Sequence, residues 1–140
     1  DYIYQNFRNN FILNKFFQFN EFLDEANEFF KRGKYLVSLE YLDRAISLNL
    51  TLSKIHLREA YELRGLVRMH LHQYPDAIFD FNKGVDLDPM HASLYFYRQY
   101  SFCAISQYKE AIIDCNKLIT LEPDDESHIK QLNFLISITK

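Results

Sequence analysis

The chain has 140 residues, 48% hydrophobic and 25% charged, the balance of a globular domain large enough to bury a core. A formal net charge of −3 excludes the basic excess that nucleic-acid binding needs, and no run nears the roughly 18 apolar residues of a membrane span. Three glycines and three prolines leave little room for turns, which favours long helices on short connectors.

In chain order, residues 1–18 come first. Phe7, Phe11, Ile12, Phe16 and Phe17 suit an amphipathic helix, while Asn6, Asn9, Asn10 and Asn14 lower its propensity. The segment is expected to be helical and to pack on the first repeat unit. Further helices are predicted over 20–32, 35–49, 52–72, 75–87, 91–105, 108–121 and 125–139. In the fourth of these, Tyr74, Ala77, Ile78, Phe81, Val85 and Leu87 recur at three- and four-residue steps as one apolar stripe. Pro75 stands at its first turn, where a missing N–H is tolerated, and Pro89 and Pro123 end two helices. The last helix has Asp124 or Asp125 as its N-cap and a stripe of Ile129, Leu132, Leu135 and Ile136. It is read as a cap on the helices before it.

Smaller features bound the setting. Cys103 and Cys115 are too few for a disulfide framework and read as two buried thiols in a reducing cytosol. The sequon Asn49-Leu50-Thr51 is expected to be unused. The chain starts at Asp1 without Met or a signal-peptide pattern, so it reads as an excised piece of something longer, with a cytoplasmic location.

An internal repeat decides the fold class. Tyr74–Lys83 lies over Tyr108–Lys117 with six of ten positions identical, 34 residues apart. The same offset carries Leu87 to Leu121, Pro89 to Pro123, Tyr61 to Tyr95 and Arg64 to Arg98. A third copy lies upstream in Tyr35, Leu39, Arg44, Ala45, Ile46 and Leu48, at an offset of 39, so about five extra residues separate the first and second units.

These residues resemble the tetratricopeptide-repeat (TPR) family from Asn20 to the C-terminus. Its pattern of large and small residues is met by Phe22, Ala26, Phe29, Tyr35, Leu42 and Ala45 in unit one. Unit two has Tyr61, Gly65, Tyr74, Ala77, Phe81, Gly84 and Pro89; unit three has Tyr95, Tyr108, Ala111, Cys115 and Pro123. Departures are Ser38 and Leu50 in unit one, Arg68 in place of an aromatic in unit two, and Gln99 and Leu118 in place of small residues in unit three. Gly65, Ala77 and Ala111 are the expected close-approach points. The resemblance implies an all-α fold, an α-α superhelix of antiparallel helix pairs. It divides the chain into an N-terminal segment (1–18), units over 19–52, 58–91 and 92–125, and a capping helix (126–140).

It also implies a protein-interaction module that takes a partner peptide or helix in a concave groove lined by the first helices of the pairs. Projection places Leu23 and Asn27 there in unit one, with Asp24 and Lys31. Glu59, Glu62, Leu63, Leu66 and His70 come next in unit two, and Ser93, Phe96, Tyr97, Tyr100 and Ala104 in unit three. Such a surface suits apolar anchors with basic flanks. Alternatively, Phe96, Tyr97 and Tyr100 pack against the capping helix or the N-terminal segment. The family's clamp for chaperone C-terminal carboxylates uses cationic and amide donors at five positions, here Leu23, Asn27, Leu63, Ser93 and Tyr97. Only Asn27 matches, so a chaperone tail is not the expected partner.

No catalytic constellation, cofactor motif or metal motif is found. His70 and His72 are two apart and point to different sides of a helix, and His56, His91 and His128 read as surface or capping residues. Asp86, Asp88, Asp124, Asp125 and Glu126 gather at helix ends without the glycine of a calcium loop. The expectation is a binding domain rather than an enzyme, with no membrane or nucleic-acid partner. Two other readings stay open: a targeting domain of a larger enzyme such as a prolyl isomerase or phosphatase, and self-association through residues 1–18.

Overall fold

Every helix pair closes through the same backbone turn. Gly33, His72 and Ser106 hold one position in successive pairs, with φ of 73°, 58° and 61°. Their N–H groups donate to Phe30, Met69 and Cys103, and those of the following Lys34, Gln73 and Gln107 donate to Phe29, Arg68 and Phe102. This is a Schellman closure, which satisfies the last carbonyls of a helix and reverses the chain within a few residues.

The computed structural model describes residues 1–49 and 53–140. Among them lie seven helices and no strand: α1 (Tyr2–Lys31), α2 (Tyr35–Ser47), α3 (Lys54–His70), α4 (Tyr74–Leu87), α5 (Ala92–Ala104), α6 (Tyr108–Leu121) and α7 (Glu126–Ile138). Leu50 as the replacement of a proline, the sequon through Thr51, and the predicted helix start at Leu52 fall outside the described residues. Each helix packs on the next in chain order; α1 also touches α3, and α3 touches α5. Among the described residues no such contact joins α2 to α4 or α4 to α6. First helices therefore converge while second helices splay, which gives the stack a concave side lined by α1, α3 and α5.

One departure from the sequence reading concerns the start of the first pair. No break separates residues 1–18 from the first helix of unit one, because α1 runs unbroken for 30 residues. Residues 1–11 are exposed, and packing begins with Ile12 and Phe16. Within the helix predicted over 52–72, the insertion between units one and two is largely helical among the described residues: α3 starts four residues earlier in the repeat frame than α5 does. Ser53 caps that extra turn by accepting from the His56 N–H.

Small residues sit where helices approach most closely. A Cβ added at Gly65 would lie 2.4 Å from the Phe81 ring, and one at Gly84 would lie 2.7 Å from Leu94. Ala77 and Ala111 are fully buried. In unit one Ser38 takes that place, and its hydroxyl donates to the Ala26 carbonyl at 2.7 Å, so the buried oxygen is satisfied. Of the expected α7 stripe, Leu135 is buried and Leu132 packs beside it, but Ile129 and Ile136 stay 45% and 40% exposed. The cap is thus only partly shielded from water.

Units two and three share a buried ion pair. Asp80 on α4 is fully buried and accepts from Arg64 at 2.8 Å and from Arg68 at 2.8 Å. Arg64 also reaches back to Asp43 on α2 at 3.0 Å. One repeat later Arg98 donates to Asp114 at 2.6 Å and back to Asn82 at 3.0 Å. Burial pushes the Asp80 and Asp114 carboxyls above the usual range, against the pull of the guanidinium groups. For Arg64 burial works the other way, but Asp80 and Asp43 outweigh it and hold the guanidinium charged.

Candidate partner-binding groove

Six of the nine predicted groove residues meet in one hollow. Leu23 and Asn27 from α1 and Glu59, Glu62, Leu63 and Leu66 from α3 line a concavity of about 250 Å³. They converge because α1 and α3 are the first helices of adjacent pairs. Residues three and four apart on each then share the inward face. Leu23 and Leu63 are buried with the unit-one core and form the floor. The Asn27 amide nitrogen donates to the Leu23 carbonyl at 3.1 Å, which fixes the side chain along the rim of the hollow.

The wall of this hollow carries a charge cluster. Arg58, 9% exposed, donates to Glu62 and lies 3.7 Å from Glu59 and 3.8 Å from Asp88. His91 closes the group, with Nε2 3.1 Å from Glu62 and 3.1 Å from Arg58. The Arg58 Nε has no hydrogen-bond partner among the described residues. Three carboxylates around one guanidinium leave the wall with two net negative charges.

The aromatic residues of unit three line separate hollows. Phe96 and Tyr100 border a space of about 250 Å³ with Gln99, Cys103, Ser127, His128 and Gln131. Phe96 and Tyr97 border another of about 190 Å³ with Ser93, Glu122 and Asp125. Both lie between α5 and α7, whose backbones do not come close to each other among the described residues. Tyr97 is largely spent on packing, stacked at 6.0 Å on Phe81 and edge-on at 5.5 Å to Phe96. Phe96 and Tyr100 remain half exposed. Among the further residues projected there, Ser93 lines the smaller hollow, and Asp24 is exposed. His70 is drawn into an aromatic cluster with Tyr35 and Phe30 at 4.8 and 5.3 Å.

His128 is neither a surface residue nor a cap. It is 6% exposed, and its Nε2 lies 2.7 Å from Glu122 and 3.6 Å from Asp125. The buried Cys115 thiol donates to its carbonyl at 3.1 Å, whereas Cys103 is only half buried. Burial pushes both thiols up. Asp125 is the α7 N-cap: it accepts from Ser127, and those bonds hold its carboxyl below the usual range. No described helix is long and apolar enough to cross a membrane.

Sequence reasoning missed Arg58, which has no counterpart at its position in the other units. It also missed the Arg64–Asp80 and Arg98–Asp114 pairs. Their signal was present, since an arginine and an aspartate both recur at the 34-residue offset. Arg68, read as a departure from an aromatic, instead supplies a second cation to Asp80.

No family model and no curated protein matches the sequence. Solved structures do match by shape. The first TPR domain of Spaghetti (RPAP3), bound to the HSP90 peptide SRMEEVD, superposes with a TM-score of 0.76 at 19% identity, over 87% of this chain and 93% of that one. The second TPR domain of human RPAP3, in complex with an HSP70 peptide, gives 0.75 at 21% identity, over 86% and 97%. This chain has the TPR fold. The TPR2B domain of yeast Sti1, in complex with an Hsp70 peptide, gives 0.73 at 19% identity, over 89% and 99%. The five positions that the resemblance assigns to a carboxylate clamp hold Leu23, Asn27, Leu63, Ser93 and Tyr97 here, none of them a cation.

Proposed function

We propose that the chain is a protein-interaction module that holds an apolar-anchored, basic-flanked segment of a partner against its concave face. One observation carries this reading. The α1–α3 hollow has a leucine floor and an amide and two carboxylates at its rim, and those carboxylates with Asp88 outnumber the Arg58 guanidinium beside them. Aromatic or aliphatic side chains fit such a floor, and lysine or arginine fits the rim. An acidic chaperone tail does not, because its terminal carboxylate would meet Glu59 and Glu62, and the neighbouring Arg58 is already engaged by them and by Asp88. The groove comprises Leu23, Asn27, Glu59, Glu62, Leu63 and Leu66, extended by Phe96, Tyr97 and Tyr100. Units over 19–52, 58–91 and 92–125, followed by a cap from 126, make up the binding body, working in the cytoplasm without cofactor or catalysis.

Selection from a displayed peptide library tests this. Wild-type protein should enrich peptides with apolar anchors and basic flanks, and Asn27→Ala/Tyr100→Ala should lose about tenfold or more in affinity for them. Equal affinity of the double variant would move the site elsewhere. Saturable binding of SRMEEVD would overturn the exclusion of acidic tails.

A further inference from the structure

We propose that the groove is built to receive the N-terminal helix of a second copy of this chain. The proposal rests on the groove's role as a partner-binding surface and names its occupant.

The N-terminal half of α1 has the required chemistry on one face. Tyr4, Phe7, Arg8, Phe11 and Lys15 fall at i, i+3, i+4, i+7 and i+11, a single strip along a helix. The Lys15 ammonium lies 5.0 Å from the centre of the Phe11 ring, so the basic and aromatic groups are side by side. Phe7 and Phe11 are 76% and 57% exposed. Residues 2–17 contain Arg8 and Lys15 and no acidic residue, a charge of +2, with Arg8 on the projecting residues 2–11 and the half-buried Lys15 just past the point where packing begins. Facing them in trans would be the two net negative charges that Glu59, Glu62 and Asp88 leave around Arg58. Charge and apolar anchoring match on both sides, which is how an amphipathic helix is held in a groove.

The contact must be between copies. Residues 2–11 project beyond the stack as part of an unbroken helix, about 15 Å at 1.5 Å per residue. They cannot fold back onto their own groove without breaking α1, and no glycine or proline lies between Asp1 and Arg32 to allow it. Reciprocal exchange of the two helices closes as a two-fold dimer.

Sedimentation equilibrium of the full chain over a wide concentration range, at low and high salt, tests this. The expected result is association that weakens with salt. It should weaken at least about tenfold with Phe7→Ser/Phe11→Ser and with Glu59→Lys. Both sets of residues are exposed, and circular dichroism should confirm an unchanged fold. Arg8→Glu/Lys15→Glu and Glu59→Lys should each be monomeric alone and associate on mixing, since each then offers the charge the other needs. A wild-type chain that stays monomeric throughout overturns the proposal, as does association indifferent to Glu59→Lys or a mixture that does not associate. If library peptides still bind the groove of a monomeric chain, the exchange falls and the interaction-module reading stands. If nothing binds the groove, both fall.

Discussion

Unit one and the two units after it reach the same helix-pair geometry by different chemistry. In units two and three an arginine on the first helix is locked to a buried aspartate on the second, Arg64 to Asp80 and Arg98 to Asp114. Unit one has Glu25 and Tyr41 at those positions. There Tyr41 stacks on Phe29 at 5.6 Å and carries the Arg44 guanidinium over its ring. Unit one also has Gly33 where the turn needs positive φ, while its successors have His72 and Ser106. The backbone repeat is thus tolerant of what fills the contact, provided each buried group finds its partner. The later units carry costs, a desolvated carboxylate and a left-handed turn without glycine, that the first avoids.

Breaking the ion pairs should have the largest effect. Asp80→Ala leaves both Arg64 and Arg68 without their buried acceptor and should cost roughly 3–5 kcal/mol in urea unfolding. Asp114→Ala strands only Arg98 and should cost less. Replacing the whole pair, as Arg98→Met/Asp114→Leu, should recover most of that loss, because an apolar contact avoids the desolvation of two charges. A double variant no better than Asp114→Ala would mean that units two and three cannot adopt the apolar solution of unit one.

Next come the close-approach points. Ala77→Leu and Ala111→Leu insert methylenes between packed helices and should each cost roughly 1–3 kcal/mol by thermal or urea unfolding. Ser38→Ala in unit one should cost about 1 kcal/mol, the worth of its bond to Ala26. An unchanged melting temperature in both leucine variants would show that these helices can separate at little cost.

The turns come third. An L-residue in the left-handed region costs about 1–2 kcal/mol, so Ser106→Gly should stabilise by about 1 kcal/mol and Gly33→Ala should destabilise by a similar amount. His72→Gly should gain less, since the imidazole lies 3.0 Å from the Tyr74 hydroxyl and that contact is lost. A destabilising Ser106→Gly would place the strain elsewhere.

The repeat made α2 and α4–α7 legible to within a residue or two, because their stripes and end signals recur at a fixed offset. Continuity of α1 was not legible. Asn6, Asn9, Asn10 and Asn14 lower local propensity, and the aromatic strip beside them has no partner among the described residues to reveal it. The groove was legible where it depends on helix register: the α1 and α3 residues converge as projected. It was not legible where it depends on reach across the stack. Arg58 meets Asp88 and His91 only after α3, α4 and α5 have packed, and His128 is buried only because α7 closes on α6. Tyr97 matched the projection yet turned inward onto Phe81, since a ring at the edge of a helix face gains more area in the core than in the groove.

The smallest expected effect separates two carboxyls by the sign of their response to acid. Burial raises the Asp80 pKa above its ordinary 3.8, so the folded state takes up this proton at higher pH than the unfolded chain does. Its contribution to stability is complete below the ordinary value and is lost as pH rises through the folded one. The stability gap between wild type and Asp80→Asn should therefore widen as pH falls from neutrality toward about 4. Asp125 behaves oppositely: bonds from Ser127 lower its pKa, so its contribution is present above the ordinary value and lost as pH falls through the folded one. The gap for Asp125→Asn should shrink in the acid limb. Urea midpoints from neutral pH down to about pH 3 measure both. A gap for Asp80→Asn that shrinks instead would show Arg64 and Arg68 outweighing burial. The pair would then be favourable to bury as well as costly to break, and unit one would be the less stable solution of the two.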